Sequence, residues 1–210
     1  MNYLIISSYS YLLGSIPTAY ILMKLFRGID IRRAGSGNVG GLNAYEVSGS
    51  FLLGFSVFAI DFLKGLLAVI LTKHFMSESF IGVGLSVFWS VLGHCFSIWI
   101  NFRGGRGLAT ALGSTFLFIP LAFVIWGITW LVVYILKKDI HLGNVLATIL
   151  TLSLLIMGYD LVKNFTFPAP DNFLTYLIIV VLVLSIILIK HFEPIKQIIS
   201  KKNYSYEREL

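Results

Sequence analysis

The sequence predicts an all-α, polytopic membrane protein of about seven transmembrane helices, with the N-terminus outside and the C-terminus in the cytoplasm. Three observations carry this. Of the 210 residues, 57% are hydrophobic and only 12% are charged, against roughly 25% charged in a soluble domain; the mean hydropathy is +0.87. Apolar runs near the ~20 residues needed to span a bilayer recur along the chain. Basic residues gather on alternate loops, as the positive-inside rule requires of cytoplasmic ones.

The first run covers residues 3–25. It lacks a basic leading region and a small-residue cleavage site, so it reads as a retained helix and not a signal peptide. The second, 50–73, carries Asp61 and Lys64 inside its apolar stretch. The third, 80–99, ends near Gly93-His94-Cys95-Phe96. A shorter run, 107–118, is interrupted by Gly113 and closed by Pro120; counting it makes seven. The remaining runs are 119–136, 142–159 and 172–190. In this scheme Lys24, Arg27, Arg32, Arg33, Arg103, Arg106, Lys137, Lys138, Lys190, Lys196, Lys201, Lys202 and Arg208 share one side, and only Lys64, Lys73 and Lys163 do not. The net charge of +6 follows from this bias and from attraction to anionic headgroups, with no need for nucleic acid. Residues 1–210 read as a single domain without repeats, closing on a polar, tyrosine-bearing tail from Glu193. The lone Cys95 allows neither an internal disulfide nor a thiolate metal cluster.

Two loops stand out against this background. The first runs Gly35-Ser36-Gly37-Asn38-Val39-Gly40-Gly41-Leu42-Asn43, with Arg32 and Arg33 just upstream. The second runs Asn101-Phe102-Arg103-Gly104-Gly105-Arg106-Gly107. Successive glycines let backbone N–H groups converge on an anion, and nearby arginines add charge. The pair therefore points to a phosphate-bearing ligand at the membrane surface; the plainer alternative for the first loop is a tight interfacial turn. The first loop also matches the G-x-G-x-x-G dinucleotide pattern, but no strand or βαβ unit accompanies it. The second lacks the Gly-Lys-Ser/Thr ending of a P-loop. Asp61 and Lys64 share a helix face at i, i+3. A charged pair inside a span is either a lock between helices or part of a site. His94, His141 and His191 all fall at the side of the two loops, with Glu193 beside the last. No two histidines have the i, i+4 spacing of a helical zinc motif, so no metal is expected.

In motif order these residues resemble the bacterial acyl-phosphate:glycerol-3-phosphate acyltransferases of the PlsY type. The resemblance covers nearly the whole chain. It runs from Gly14-Ser15-Ile16-Pro17 through Asp30-Ile31-Arg32 and the first loop to Asp61-Phe62-Leu63-Lys64-Gly65. It continues with Gly93-His94, Phe102-Arg103-Gly104-Gly105-Arg106-Gly107-Leu108-Ala109-Thr110, Leu142-Gly143 and His191-Phe192-Glu193. It implies a seven-helix fold with these motifs at the cytoplasmic face of a bacterial plasma membrane. It implies transfer of an acyl group from acyl phosphate to the 1-hydroxyl of glycerol 3-phosphate, giving lysophosphatidic acid for phospholipid synthesis. No metal, coenzyme A or other cofactor is implied, and no obligate protein partner; membrane lipid and the two substrates are the expected partners. Acyl phosphate is an activated anhydride, so orientation and charge stabilisation are the main demands on the protein.

On this reading Ser36 and His191 are the expected catalytic residues. Ser36 would bond the reacting carbonyl or phosphate, and His191 would orient or deprotonate the acceptor hydroxyl. Arg32, Gly35, Gly37, Asn38, Gly40 and Asn43 from the first loop would hold phosphate, together with Arg103, Gly104, Gly105, Arg106 and Gly107 from the second. Asp61, Lys64, His94, His141 and Glu193 would support them. The sequence departs from the family pattern at six positions in four motifs. Leu42 and Glu46 stand where threonine and arginine are usual, and Arg106 where lysine is common. His141 replaces a serine, and Phe192 and Pro194 replace an arginine and an asparagine. These departures leave two alternatives beside the glycerol 3-phosphate reaction: another acceptor or donor on the same scaffold, or a non-catalytic lipid-binding relative.

Overall fold

The computed structural model describes residues 3–76 and 79–206, with the side chains of residue 76 and of 197–206 excepted. Arg208 and the side chains of Lys201 and Lys202 therefore lie outside the described residues. The described residues are helical without strands. The helices are α1 (Tyr3–Ser15), α2 (Thr18–Arg27), α3 (Gly41–Ser48), α4 (Phe51–Leu71), α5 (Phe80–Cys95), α6 (Leu108–Phe118), α7 (Pro120–Lys137), α8 (Ile140–Met157), α9 (Tyr159–Val162) and α10 (Phe173–Tyr206).

Five stretches are long and apolar enough to cross a membrane: Phe51–Phe75, Phe80–Ile100, Pro120–Lys137, Ile140–Met157 and Phe173–Lys196. The run expected as one helix over 3–25 is two, broken at Ile16–Pro17. Proline lacks the N–H that would continue the helix and pushes the residue before it out of the α region. The 13 residues of α1 and the 11 of α6 each fall short of the ~20 that a span requires. The second half of the broken run, α2, carries Lys24 and Arg27 in its last turn and stops at Gly28, whose φ of 68° needs no Cβ.

Local signals start the helices where they begin. Ser50 accepts from the Leu53 N–H at the head of α4, and Asp139 accepts from the His141 and Leu142 N–H groups at the head of α8. Pro120 opens α7 at its first turn, where no N–H is needed. The apolar core joins α4, α5, α7, α8 and α10 through Val69, Phe80, Val83, Val87, Ala122, Leu155, Tyr176 and Ile179.

Helix pairs approach closely through glycine. A Cβ on Gly14 would overlap the Ser90 carbonyl where α1 meets α5, and one on Gly65 would overlap the Thr110 carbonyl where α4 meets α6. In lipid the packing of small residues takes over much of the role that hydrophobic exclusion plays in water. Gly113 lies against the Phe62 carbonyl in the same α4–α6 contact. Alanine is the better helix former by about 1 kcal/mol, yet Gly113→Ala is expected to lower the thermal midpoint in detergent. Its Cβ forces the two backbones apart, at the ~1–3 kcal/mol of an overpacked core.

Candidate active site

The first glycine loop is tied down by one residue. Asn43, fully buried in α3, accepts from the Ser36 N–H at 3.0 Å. Its Nδ2 donates to the carbonyls of Asn38 at 2.9 Å, Ala34 at 3.1 Å and Ile31 at 3.4 Å. Gly35 and Gly37 have φ of 57° and 70°, which lets the chain wrap this amide. Arg32 forms a two-pronged pair with Asp30, 2.6 Å at its shorter arm, and lies over the Tyr20 ring. The guanidinium holds the Asp30 carboxyl down at about 2. Ser36 is exposed.

The second loop folds back on the end of α5. The Gly104 and Gly105 N–H groups donate to the Cys95 and His94 carbonyls at 3.2 and 3.0 Å. A Cβ on either glycine would collide with His94. Both glycines therefore serve close packing, and their N–H groups are engaged. Arg103 is exposed, whereas Arg106 is half-buried and turns inward. Burial pulls its guanidinium below its ordinary range, opposed by the charge of Glu46.

These loops border a cavity of about 710 Å³, within the ~300–1,000 Å³ usual for small-molecule sites. One part of its wall is polar: Asn38, Asp61, His94, Arg106, Asn144 and His191. The other is apolar: Phe51, Phe55 and Phe58 of α4, Leu112 of α6, and Trp126 and Trp130 of α7. Two helices begin at this wall. Gly40, Gly41 and Leu42 belong to the start of α3, and Gly107, Leu108 and Ala109 to the start of α6. Helix starts present backbone N–H groups and the positive end of the helix dipole, which suits an anion.

Of the residues expected at a site, Asn38, Gly40, Arg106, Gly107, Asp61, His94 and His191 meet at the cavity. Arg32, Gly35, Ser36, Gly37, Asn43, Arg103, Gly104, Gly105, Lys64, His141 and Glu193 are not among its lining residues. Lys64 and His141 act one step behind the wall. Lys64 Nζ pairs with Asp61 Oδ1 at 2.8 Å and donates to the Ile16 carbonyl, also at 2.8 Å. Asp61 Oδ1 further accepts from Thr18 Oγ1 at 2.8 Å and lies 3.6 Å from His94 Nδ1. His141 Nδ1 accepts from Arg106 Nη1 at 3.1 Å, since arginine only donates. Glu193 is exposed on α10, two residues past His191.

His191 is 1% exposed with both ring nitrogens engaged. Nδ1 meets the Ile187 carbonyl at 2.8 Å, and Nε2 meets Asn144 Nδ2 at 3.3 Å. Trp130 Nε1 in turn donates to Asn144 Oδ1 at 2.8 Å, and Trp126 Nε1 to Thr148 Oγ1 at 3.1 Å. Asn144 and the two tryptophans were not among the expected site residues. The available signal was the spacing of Asn144, Thr148 and Thr151 on one face of an apolar helix, because polar side chains inside a span have a partner or a task.

The fold and cavity together define a class: an integral membrane protein whose cavity is lined by two helix starts, Arg106 and other polar side chains as well as by aromatic rings. Comparison with known proteins narrows this. The glycerol-3-phosphate acyltransferase family profile matches residues 4–201. A glycerol-3-phosphate acyltransferase from Ehrlichia canis is 36% identical over 194 residues, 92% of this chain and 93% of that protein. The crystal structure of PlsY (YgiH), an integral membrane glycerol 3-phosphate acyltransferase, superposes in its glycerol 3-phosphate form with a TM-score of 0.80. It is 31% identical, with 96% of this chain and 94% of that chain covered. The lysophosphatidic acid form gives 0.78 at 30% identity, with 96% and 93% covered. The chain belongs to the glycerol-3-phosphate acyltransferase family.

The buried pair yields a stability test. Lys64→Met leaves Asp61 charged and unpaired, and is expected to cost about 3–5 kcal/mol. The double variant Asp61→Asn/Lys64→Met is expected to recover part of that loss, since no bare charge remains. Thermal unfolding in detergent of the parent, single and double variants measures both.

Proposed function

We propose that this chain acylates the 1-hydroxyl of glycerol 3-phosphate, with acyl phosphate as donor, to form lysophosphatidic acid for membrane phospholipid synthesis. The observation that carries the reading is the two-part cavity, in which one wall suits a phosphate and the other an alkyl chain, in a member of this family. The solved relatives with glycerol 3-phosphate and lysophosphatidic acid in their descriptions support the same acceptor and product. The working face is the cytoplasmic one of a bacterial plasma membrane. The basic residues that border the two loops support that side, and with it an outside N-terminus and a cytoplasmic C-terminus.

In this reading the phosphate lies against Arg106 and the starts of α3 and α6. A guanidinium adds charge and a planar pair of donors. His141 holds the fork from behind. Asn38 and Gly40 close the pocket from the first loop, with Gly35, Gly37 and Asn43 shaping that loop. Ser36, open to solvent two residues from the wall, reaches the acceptor from the loop side. Asp61, Lys64 and His94 keep α4, α5 and the start of α2 in register beneath it. The tail follows Phe55, Phe58, Leu112 and the two tryptophans. Phe51, Phe55 and Phe58 are 73%, 53% and 43% exposed, so the apolar wall continues onto the outer surface of α4.

The direct test is transfer of labelled palmitate from palmitoyl phosphate to glycerol 3-phosphate by the purified chain in lipid vesicles. Lysophosphatidic acid is the expected product; its absence from a folded sample overturns the reading. Ser36→Ala and His191→Ala are each expected to abolish transfer at unchanged expression, and a variant with retained activity removes that residue from the chemistry.

Charge near the phosphate gives a second test with opposite signs. Arg106→Ala is expected to raise KM for glycerol 3-phosphate by about 10- to 100-fold, the size of a hydrogen bond to a charged group, ~1.5–3 kcal/mol. Glu46 is exposed and acts on Arg106 only through its charge. Glu46→Gln is expected to lower the same KM by about two- to fivefold, as an exposed charge interaction of ~0.5–1 kcal/mol would.

A further inference from the structure

We propose that Asn144 is a catalytic hydrogen-bond donor, aimed at the oxygen that gains negative charge when the acyl carbonyl is attacked. This rests on the acyl-transfer reading above and adds a residue and a role to it.

The argument starts from two groups whose hydrogen-bonding direction is unambiguous. An indole N–H only donates and a backbone carbonyl only accepts. Trp130 Nε1, 2.8 Å from Asn144, must therefore face the amide oxygen. The Ile187 carbonyl, 2.8 Å from His191, must face a protonated Nδ1. Nε2 of that tautomer is an acceptor, and Asn144 Nδ2 lies 3.3 Å away to serve it. The chain Trp130–Asn144–His191–Ile187 therefore runs in one direction. The amide cannot flip without breaking both of its bonds.

An asparagine amide carries two N–H groups. One serves His191, and among the described residues no partner takes the other. Asn144 is 6% exposed and lies on the cavity wall. A nearly buried donor without a partner is costly, and a site that binds an oxygen there removes that cost. The position suits one oxygen in particular. Trp130 meets the oxygen end of the Asn144 amide and His191 the nitrogen end, and Trp126 and Arg106 share the lining with them. Asn144 thus stands at the seam where a tail and a head would join, which is where the acyl carbonyl of a bound donor lies. Its anchor is stiff. The Trp130 ring stacks on Trp126 at 6.3 Å and on Tyr134 at 5.2 Å between centroids. Donors held in place before the reaction, away from bulk water, stabilise developing charge without having to reorganise.

The step balances without an added reagent. The acceptor hydroxyl oxygen bonds to the acyl carbon, and the carbonyl electron pair moves to the oxygen facing Asn144. That pair returns as the bond to the phosphate oxygen breaks. The hydroxyl proton leaves with the phosphate.

The test is steady-state kinetics of the full chain in vesicles, with palmitoyl phosphate and glycerol 3-phosphate, for Asn144→Leu, Asn144→Asp and Trp130→Phe. Loss of one oxyanion donor is expected to lower kcat by about 10²- to 10³-fold in both Asn144 variants, with KM for glycerol 3-phosphate changed by less than about threefold. Trp130→Phe keeps a ring but frees the amide, and is expected to lose about tenfold in kcat, also at unchanged KM. A purely structural role would reduce the active fraction in step with the melting temperature, so thermal unfolding is recorded on the same samples. If the leucine variant does not fold, the aspartate variant decides, because it keeps the size of the side chain and its bond from Trp130. Asn144 variants with kcat within twofold of the parent overturn the proposal. So does a raised KM at unchanged kcat, which would make Asn144 a phosphate ligand. A parent chain that forms no lysophosphatidic acid overturns the acyl-transfer reading itself.

Discussion

The polar half of this bundle depends on one buried ion pair. Pro17 interrupts the first apolar run, and the Ile16 carbonyl before it turns to accept from the Thr18 N–H at 3.0 Å. Lys64 is a second donor to that carbonyl, and Asp61 neutralises Lys64. The same carboxylate receives Thr18 at the start of α2 and stands beside His94 near the end of α5. Three segments distant in sequence thus meet around a single carboxylate. The arrangement is self-consistent, because each partner's desolvation is met by the others.

The cavity follows from that clamp. With α2, α4 and α5 fixed, the second loop folds back along α5, and its glycines pack against His94 with their N–H groups engaged. The first loop is held around Asn43 in the same way. Neither loop is an open ring of donors. The cavity lining instead includes the starts of α3 and α6 and Arg106, which on the proposed reading meet the phosphate. Glycine here allows close approach more than it offers hydrogen bonds.

Much of this was legible in the sequence. Hydropathy marks the five long spans, and the two glycine loops mark the end where the polar residues gather. The i, i+3 spacing of Asp61 and Lys64 fits the pair that forms. What was not legible has a common cause. Composition marks a loop, but only the path of the chain decides which side chains turn inward. Arg103 and Arg106 look equivalent in sequence, and one is exposed while the other lines the cavity. Arg32 is taken by Asp30, two residues away in the same motif. Asn144 was not placed in the site because its meaning lies in contacts with α7 and α10, which no local pattern contains. Averaged hydropathy also hid the break at Pro17, although proline announces it.

The aromatic wall of α4 has a kinetic consequence. Phe51, Phe55 and Phe58 line the cavity and are exposed on α4, so on the proposed reading the mouth of the site faces the bilayer. An amphiphile reaching it diffuses in two dimensions, and its effective concentration is a mole fraction of the membrane, not an amount per litre. Every bulk phospholipid then competes for the same mouth. Diluting the bilayer with inert lipid would slow turnover even when the total amount of amphiphile is unchanged.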